Sequence, residues 1–121
     1  MGETEKSKTY DLEDRTFEFA KRVRGFVRKL IKDIPNNEDV KQVVRSSGSV
    51  GANYIEANEA LSKKDFLMRI KICRKEAKES RFWLRLLSAG SDDWCVKERE
   101  DLIQEAKELT SIFGAIVTKS L

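Results

Sequence analysis

Residues 43–61, VVRSSGSVGANYIEANEAL, decide how the chain folds. Their centre is poor helix by composition, because each glycine costs about 1 kcal/mol relative to alanine in a helix interior. The apolar period nevertheless continues in phase on both sides of residues 46–53, where Val43 precedes and Ile55 follows. We therefore predict a helix over about 38–61, with a linker through residues 46–53 as the alternative. In the helical interpretation small residues let a neighbouring helix approach closely, and they are Ser47, Gly48, Gly51, Ala52 and Asn53.

Three further segments have helical apolar periodicity, and none alternates in the manner of a strand. They span about 12–34, 63–89 and 93–120. Pro35 is expected to end the first, because the residue before a proline is pushed out of the α region. The connections are too short for crossovers, so the predicted fold is all-α, an antiparallel up-down-up-down four-helix bundle. Residues 1–10 are expected to form a flexible tail, and residues 11–121 a single domain.

Composition excludes most common catalytic machinery. The 121 residues include no histidine, which excludes a Ser-His-Asp triad, a Cys-His pair and a histidine-ligated zinc or haem. A di-iron bundle needs Glu-x-x-His pairs, so the absence of histidine excludes that site as well. We expect no enzyme activity, no metal and no cofactor.

Cysteine use and hydropathy indicate a cytoplasmic protein. Cys73 and Cys95 form no CxxC motif and no disulfide framework, which fits a reducing compartment, and Cys73 is expected in the core. No apolar run approaches the roughly 18 residues of a membrane span, and the polar, acidic first residues are unlike a signal peptide. We expect no membrane partner.

The net charge of +3 conceals a strong polarisation between segments. The first and third helical segments are basic, whereas the second and fourth are acidic. A bundle that places basic helices diagonally would give each of them two acidic neighbours, so the pattern can order the helices. It can equally form a nucleic-acid surface. The candidate phosphate-binding residues are Lys71, Arg74, Lys75, Lys78, Arg81 and Arg85 in the third segment, and Arg24, Arg28 and Lys32 in the first.

The third segment also carries a second apolar stripe, more than 100° from its core face. An exposed aromatic-rich patch often marks an interface, so we predict a subunit contact there. The alternative is that a wide core face or the N-terminal tail covers the aromatic rings. The interface candidates are Ile72, Phe82, Trp83 and Leu86, with Glu76 and Glu79 placed to meet a neighbouring arginine.

Several stretches resemble a known family. They are RSSGSVGANYIEA (45–57), SKKDF (62–66), RKEAKES (74–80), Trp83-Leu84 and DRTFEFA (14–20). The chain resembles the bacterial four-helix-bundle proteins called 23S rRNA intervening-sequence proteins, over roughly residues 10–120. Asn53, Glu56, Arg74, Glu76 and Glu79 match the polar signature of that family, which supplies no catalytic residues.

The resemblance implies a ring-shaped homo-oligomer, often a pentamer. A similar fold serves as the accessory protein of diversity-generating retroelements, where a basic barrel binds a reverse transcriptase and nucleic acid. We therefore predict a non-enzymatic pentamer that binds RNA or an RNA-associated protein through its basic helix faces. The alternative is a scaffold for an acidic partner, or a reverse transcriptase accessory protein, without direct nucleic-acid binding.

Overall fold

The computed structural model describes residues 11–121, and these form four helices with no strand among them. The predicted tail at residues 1–10 lies outside the described residues. The helices are α1 (Leu12–Val27), α2 (Ile34–Asn58), α3 (Lys63–Leu86) and α4 (Asp93–Ser120). This confirms the all-α prediction with four helices. None of the four, over the part of the chain that the structure describes, has the length and apolar character needed to cross a membrane.

Contacts between the helices run antiparallel, which is consistent with an up-down-up-down bundle. Along α1, Arg15 pairs with Glu105 of α4 and Arg22 pairs with Glu98, so the two helices run in opposite directions. Between α2 and α3, Ser46 bonds Ser80 while Asn53 bonds Arg69, again in reverse order. Each helix packs on its sequence neighbours, and α1 also packs on α4.

Helix α2 runs unbroken through its glycines, so the linker alternative is wrong. Val43 and Val50 are fully buried on either side of this segment, and their burial offsets its low helix propensity. A Cβ on Gly51 would lie 3.0 Å from Thr16 Oγ1 of α1. The small residues therefore do allow a neighbouring helix to approach closely, and that helix is α1.

Four predicted helix boundaries were wrong, including the start of α2, which begins at Ile34 rather than near 38. Helix α1 ends at Val27 rather than near 34, because the N–H groups of Lys29 and Leu30 bond three residues back and Leu30 turns into the core. Pro35 lies in the first turn of α2, where a missing N–H costs nothing, and Asp33 caps that turn. Helices α2 and α3 end three residues earlier than expected.

The core contains most of the apolar positions that the period assigned to it. Ile70, Cys73, Ala77 and Leu84 of α3 are fully buried, as predicted. Three positions that the helical period of the second segment assigned to the inward face were wrong. Ile55 is half exposed, Asn58 is exposed at the end of the helix, and Leu61 lies beyond that end on the surface. The core also includes polar contacts, notably the hydrogen bond of 2.8 Å between the Ser46 and Ser80 hydroxyls.

Candidate nucleic-acid interface

The basic face of α3, which we define as Lys71, Arg74, Lys75, Lys78, Arg81 and Arg85, is presented to solvent. Five of the six side chains are exposed and Arg81 is half-buried. The set spans 15 residues of regular helix, whose first and last members are about 21 Å apart along the axis. The structure thus places these six predicted residues along one helix face, which flanks the buried side that holds Ile70 and Ala77.

Two shallow grooves follow one another along the boundary between α3 and α4. The first is lined by Lys71, Arg74, Lys75 and Lys78, together with Glu79 and Thr110. The second is lined by Arg81, Phe82, Arg85, Leu86, Arg99, Glu100 and Ile103. Every member of the basic face therefore borders one of the two grooves.

The basic face has no ion pairs within the described chain. None of its six cations lies within 4.0 Å of a carboxylate oxygen from residues 11–121. The like charges instead lie three and four residues apart, as in Lys71–Lys75 and Arg81–Arg85, and such spacing destabilises a helix by a few tenths of a kcal/mol per pair. Helix stability therefore does not explain this arrangement of charge.

The cations of α1 are used differently, mostly within the fold. Arg15 Nε donates to Glu105 at 2.7 Å and Arg22 Nη2 to Glu98 at 3.0 Å, so both bind α4. The hydrogen bonds to these carboxylates are the main reason that the pKa of both arginines is raised, and the attraction of the negative charges adds to the effect. These pairs join a basic helix to an acidic neighbour, which is the arrangement expected if charge helps to order the helices.

The structure separates the α1 candidates from the basic face of α3. Arg24 donates to the carbonyls of Ala20 and Val44, which ties α1 to α2. Arg28 and Lys32 are exposed at and beyond the end of α1. None of these three residues lines either of the two grooves along α3.

The predicted apolar stripe is only partly exposed. Phe82 and Leu86 are 53% and 54% exposed, whereas Trp83 packs against the core and Ile72 is half-buried. The alternative, that a wide core face covers the rings, thus holds for Trp83.

The two carboxylates assigned to the stripe have a partner in the same chain. Glu76 is 6% exposed and lies 3.4 Å from Arg45 of α2, which also reaches Glu79 at 3.5 Å. The expectation of an arginine from another subunit was based on helix position alone, which does not show the adjacent helix.

Sequence reasoning missed two features of the surface. Arg99, in acidic α4, donates to the carbonyls of Leu84 and Arg85 and so binds the last turn of α3. A groove of about 440 Å³ also lies between α1 and α2, where Phe17, Ala20, Ala52 and Ile55 contribute apolar surface. The only signal for this groove was the run of small residues.

Anion binding is the chemistry that these side chains support. The described residues contain no group of three or more Cys, Asp and Glu side chains that could hold a metal ion. Burial raises the pKa of the Cys73 thiol to about 12, so it is not a nucleophile at neutral pH. Unpaired guanidinium and ammonium groups, by contrast, bind phosphate directly.

The fold and the site together define the class: an antiparallel helical protein with a basic groove on its surface. Comparison with known proteins assigns the family. The sequence model of the 23S rRNA-intervening sequence protein family matches residues 8–115. The chain belongs to that family, which confirms the resemblance. No curated protein matches it.

A crystal structure with a similar fold comes from Bacteroides thetaiotaomicron and is described as a protein with unknown function from the S23 ribosomal protein family. It is 28% identical, with a TM-score of 0.73, and the match covers 87% of this chain and 96% of that chain.

Proposed function

We propose that this protein is a non-enzymatic, cytoplasmic homo-oligomer that binds RNA through the basic face of α3. The observation that carries the proposal is the contrast between two basic helices. Arg15 and Arg22 of α1 pair with α4, whereas the six cations of the basic face of α3 have no carboxylate oxygen within 4.0 Å in residues 11–121. An external polyanion would supply the missing counter-charge.

RNA fits this face better than an acidic protein does. The cations form a line of about 21 Å along two successive grooves, and a phosphate backbone offers evenly repeated negative charge over such a length. Three of the six are arginines, which can bind phosphate through two parallel hydrogen bonds. The family description, which names an intervening sequence in 23S rRNA, also favours RNA.

The test neutralises three lysines of the face and compares them with three matched lysines elsewhere. One variant carries Lys71→Gln, Lys75→Gln and Lys78→Gln. The control carries Lys41→Gln, Lys107→Gln and Lys119→Gln, which change net charge equally at exposed positions on α2 and α4.

We expect the α3 variant to lose about a hundredfold in RNA affinity at 0.1 M salt, since each phosphate contact contributes a slope of about 0.7 in log K against log salt. Fluorescence anisotropy with a labelled RNA measures the loss. Equal losses in both variants would contradict a localised site. Equally tight binding of poly-glutamate to the native protein would favour the acidic-partner scaffold instead.

The α1–α2 groove favours self-association as the second part of the proposal. Phe17 is 62% exposed and Ile55 is 49% exposed, and both border this largely apolar groove. The α3 stripe retains only Phe82 and Leu86, next to Arg81 and Arg85, where like charges oppose a close approach of basic surfaces. We therefore assign the contact between copies to the groove, with the stripe as the alternative interface.

Light scattering at micromolar concentration tests the assembly. Five copies of the 14.0 kDa chain give about 70 kDa, and a monomeric mass would contradict self-association. Phe17→Ser with Ile55→Ser should dissociate the assembly, whereas Phe82→Ser with Leu86→Ser should leave its mass unchanged. The reverse result would assign the contact to α3.

A further inference from the structure

Phe82 is an exposed aromatic ring set among cations. It lies between Arg81 and Arg85 in sequence and lines one groove with both of them. The Phe82 and Trp83 rings are 4.9 Å apart and nearly perpendicular, at 79°. In this edge-to-face geometry Trp83 leaves at least one face of the Phe82 ring uncovered. Because Trp83 packs on the core, it also braces the ring.

Arg81 has an unmet hydrogen bond beside this ring. Its Nε is buried and has no acceptor among residues 11–121. A buried donor without a partner is uncommon in folded proteins, and an anionic oxygen in the groove could accept from it after a rotation of the side chain. Arg85, on the next turn, has no ion pair with a carboxylate of the described residues either.

We infer that this second groove, which we call the Phe82 groove, stacks an unpaired nucleobase on Phe82 while Arg81 and Arg85 bind the flanking phosphates. The ligand class is therefore single-stranded RNA rather than duplex. This inference rests on the proposed function, because it assigns the kind of RNA that the basic face takes.

The choice of single strand follows from what each groove can contact. Lysines and arginines bind phosphates of a duplex and of a single strand alike, so the first groove does not discriminate. A ring can stack only on a base whose face is free, and paired bases already stack on their neighbours. Aromatic rings interleaved with cations are the usual means of binding single strands.

The experiment uses the full chain and a 12-nucleotide RNA without self-complementarity, alone and annealed to its complement. The variants are Phe82→Leu, which keeps an apolar side chain but removes the ring, and Phe82→Trp, which keeps a ring. Trp94→Ala is the matched control, because Trp94 is an exposed ring that contacts Lys29 rather than the basic face. Light scattering of each variant shows whether its assembly is unchanged.

We expect Phe82→Leu to weaken single-strand binding by roughly five- to a hundredfold, with little change for duplex. Phe82→Trp should retain the single-strand affinity, and the Trp94→Ala control should resemble the native protein. If native protein binds both RNAs and Phe82→Leu changes neither, the inference is overturned while the proposed function stands. If native protein binds neither RNA, the proposed function fails as well. A changed mass in Phe82→Leu would assign the ring to a subunit contact and also overturn the inference.

Discussion

Gly51→Ala should fail to stabilise the bundle, although alanine is the better helix former. On propensity alone the substitution would stabilise α2 by about 1 kcal/mol. The added Cβ, however, would lie 3.0 Å from Thr16 Oγ1 and 3.3 Å from Thr16 Cβ. Thr16 is fully buried, and its hydroxyl donates to the carbonyls of Leu12 at 2.7 Å and Glu13 at 3.1 Å. It therefore has little freedom to move aside.

Two other glycines provide the comparison that fixes the magnitude. Overpacking a well-filled site costs about 1–3 kcal/mol, so Gly51→Ala should fall between neutral and about 2 kcal/mol destabilised. At Gly25 of α1 nothing lies within 4 Å of a Cβ, and alanine there should stabilise by about 1 kcal/mol. At Gly48 the Cβ would meet only the tip of Arg24 at 3.2 Å, which can shift, so the effect should be intermediate.

Urea denaturation followed by circular dichroism gives the free energy of unfolding for each variant. The quantity to compare is the difference between Gly51→Ala and Gly25→Ala, expected at about 1–3 kcal/mol. In a protein that already carries Thr16→Ala, Gly51→Ala should stabilise α2 by about 1 kcal/mol, because the side chain that obstructs the new Cβ is gone. If Gly51→Ala proves as stabilising as Gly25→Ala, close approach of α1 is not the reason that position 51 is glycine.

Three further predictions concern buried and capping groups. Arg45→Met should lower the free energy of unfolding by about 1–2 kcal/mol, because it leaves Glu76 buried without its partner; the half-exposed position of Arg45 keeps the loss this small. Adding Glu76→Gln should recover most of the loss, and a urea titration that shows no recovery would contradict the pairing. The Asp92 carboxylate accepts a hydrogen bond of 2.9 Å from the Cys95 N–H, which lowers the pKa of Asp92 in the folded protein. The cap therefore stabilises the fold fully above the unfolded pKa near 3.9, and this stabilisation is lost as the pH falls through the lower folded pKa. Asp92→Ala should therefore lower the Tm at pH 7 much more than at pH 2, and an equal shift at both would contradict the cap. Cys73 and Cys95 are buried free thiols, and burial raises the pKa of both. Iodoacetamide should therefore modify them only as fast as the chain unfolds, and rapid labelling of the native protein, measured by mass spectrometry, would contradict this.

The helices and their core faces were readable from sequence because apolar periodicity reflects burial. Ile70, Cys73, Ala77 and Leu84 recur at helical spacing, and all four are buried. Helix ends were harder, since they depend on local competition. Pro35 is compatible with the start of α2 as well as with the end of α1, and the Asp33 cap decided in favour of the start.

The basic face of α3 could also be predicted, because six cations at helical spacing on one helix share a side whatever the neighbours do. The side-chain contacts between helices could not be predicted from the sequence. Whether Arg24 reaches solvent or the Val44 carbonyl, and whether Glu76 faces a subunit or Arg45, depends on the rotation of α1 and α2 about their axes. Likewise Phe82 and Trp83 are adjacent in sequence, and only packing shows that one ring is on the surface while the other is against the core.

The most direct test of the central claim is the salt dependence of single-stranded RNA binding. Six phosphate contacts predict that log affinity falls against log salt with a slope of about −4, since each contributes about −0.7. The variant lacking Lys71, Lys75 and Lys78 should give about −2, and the variant lacking Lys41, Lys107 and Lys119 should keep about −4. A slope near zero for the native protein, or the same slope in all three proteins, would contradict phosphate binding by the basic face of α3.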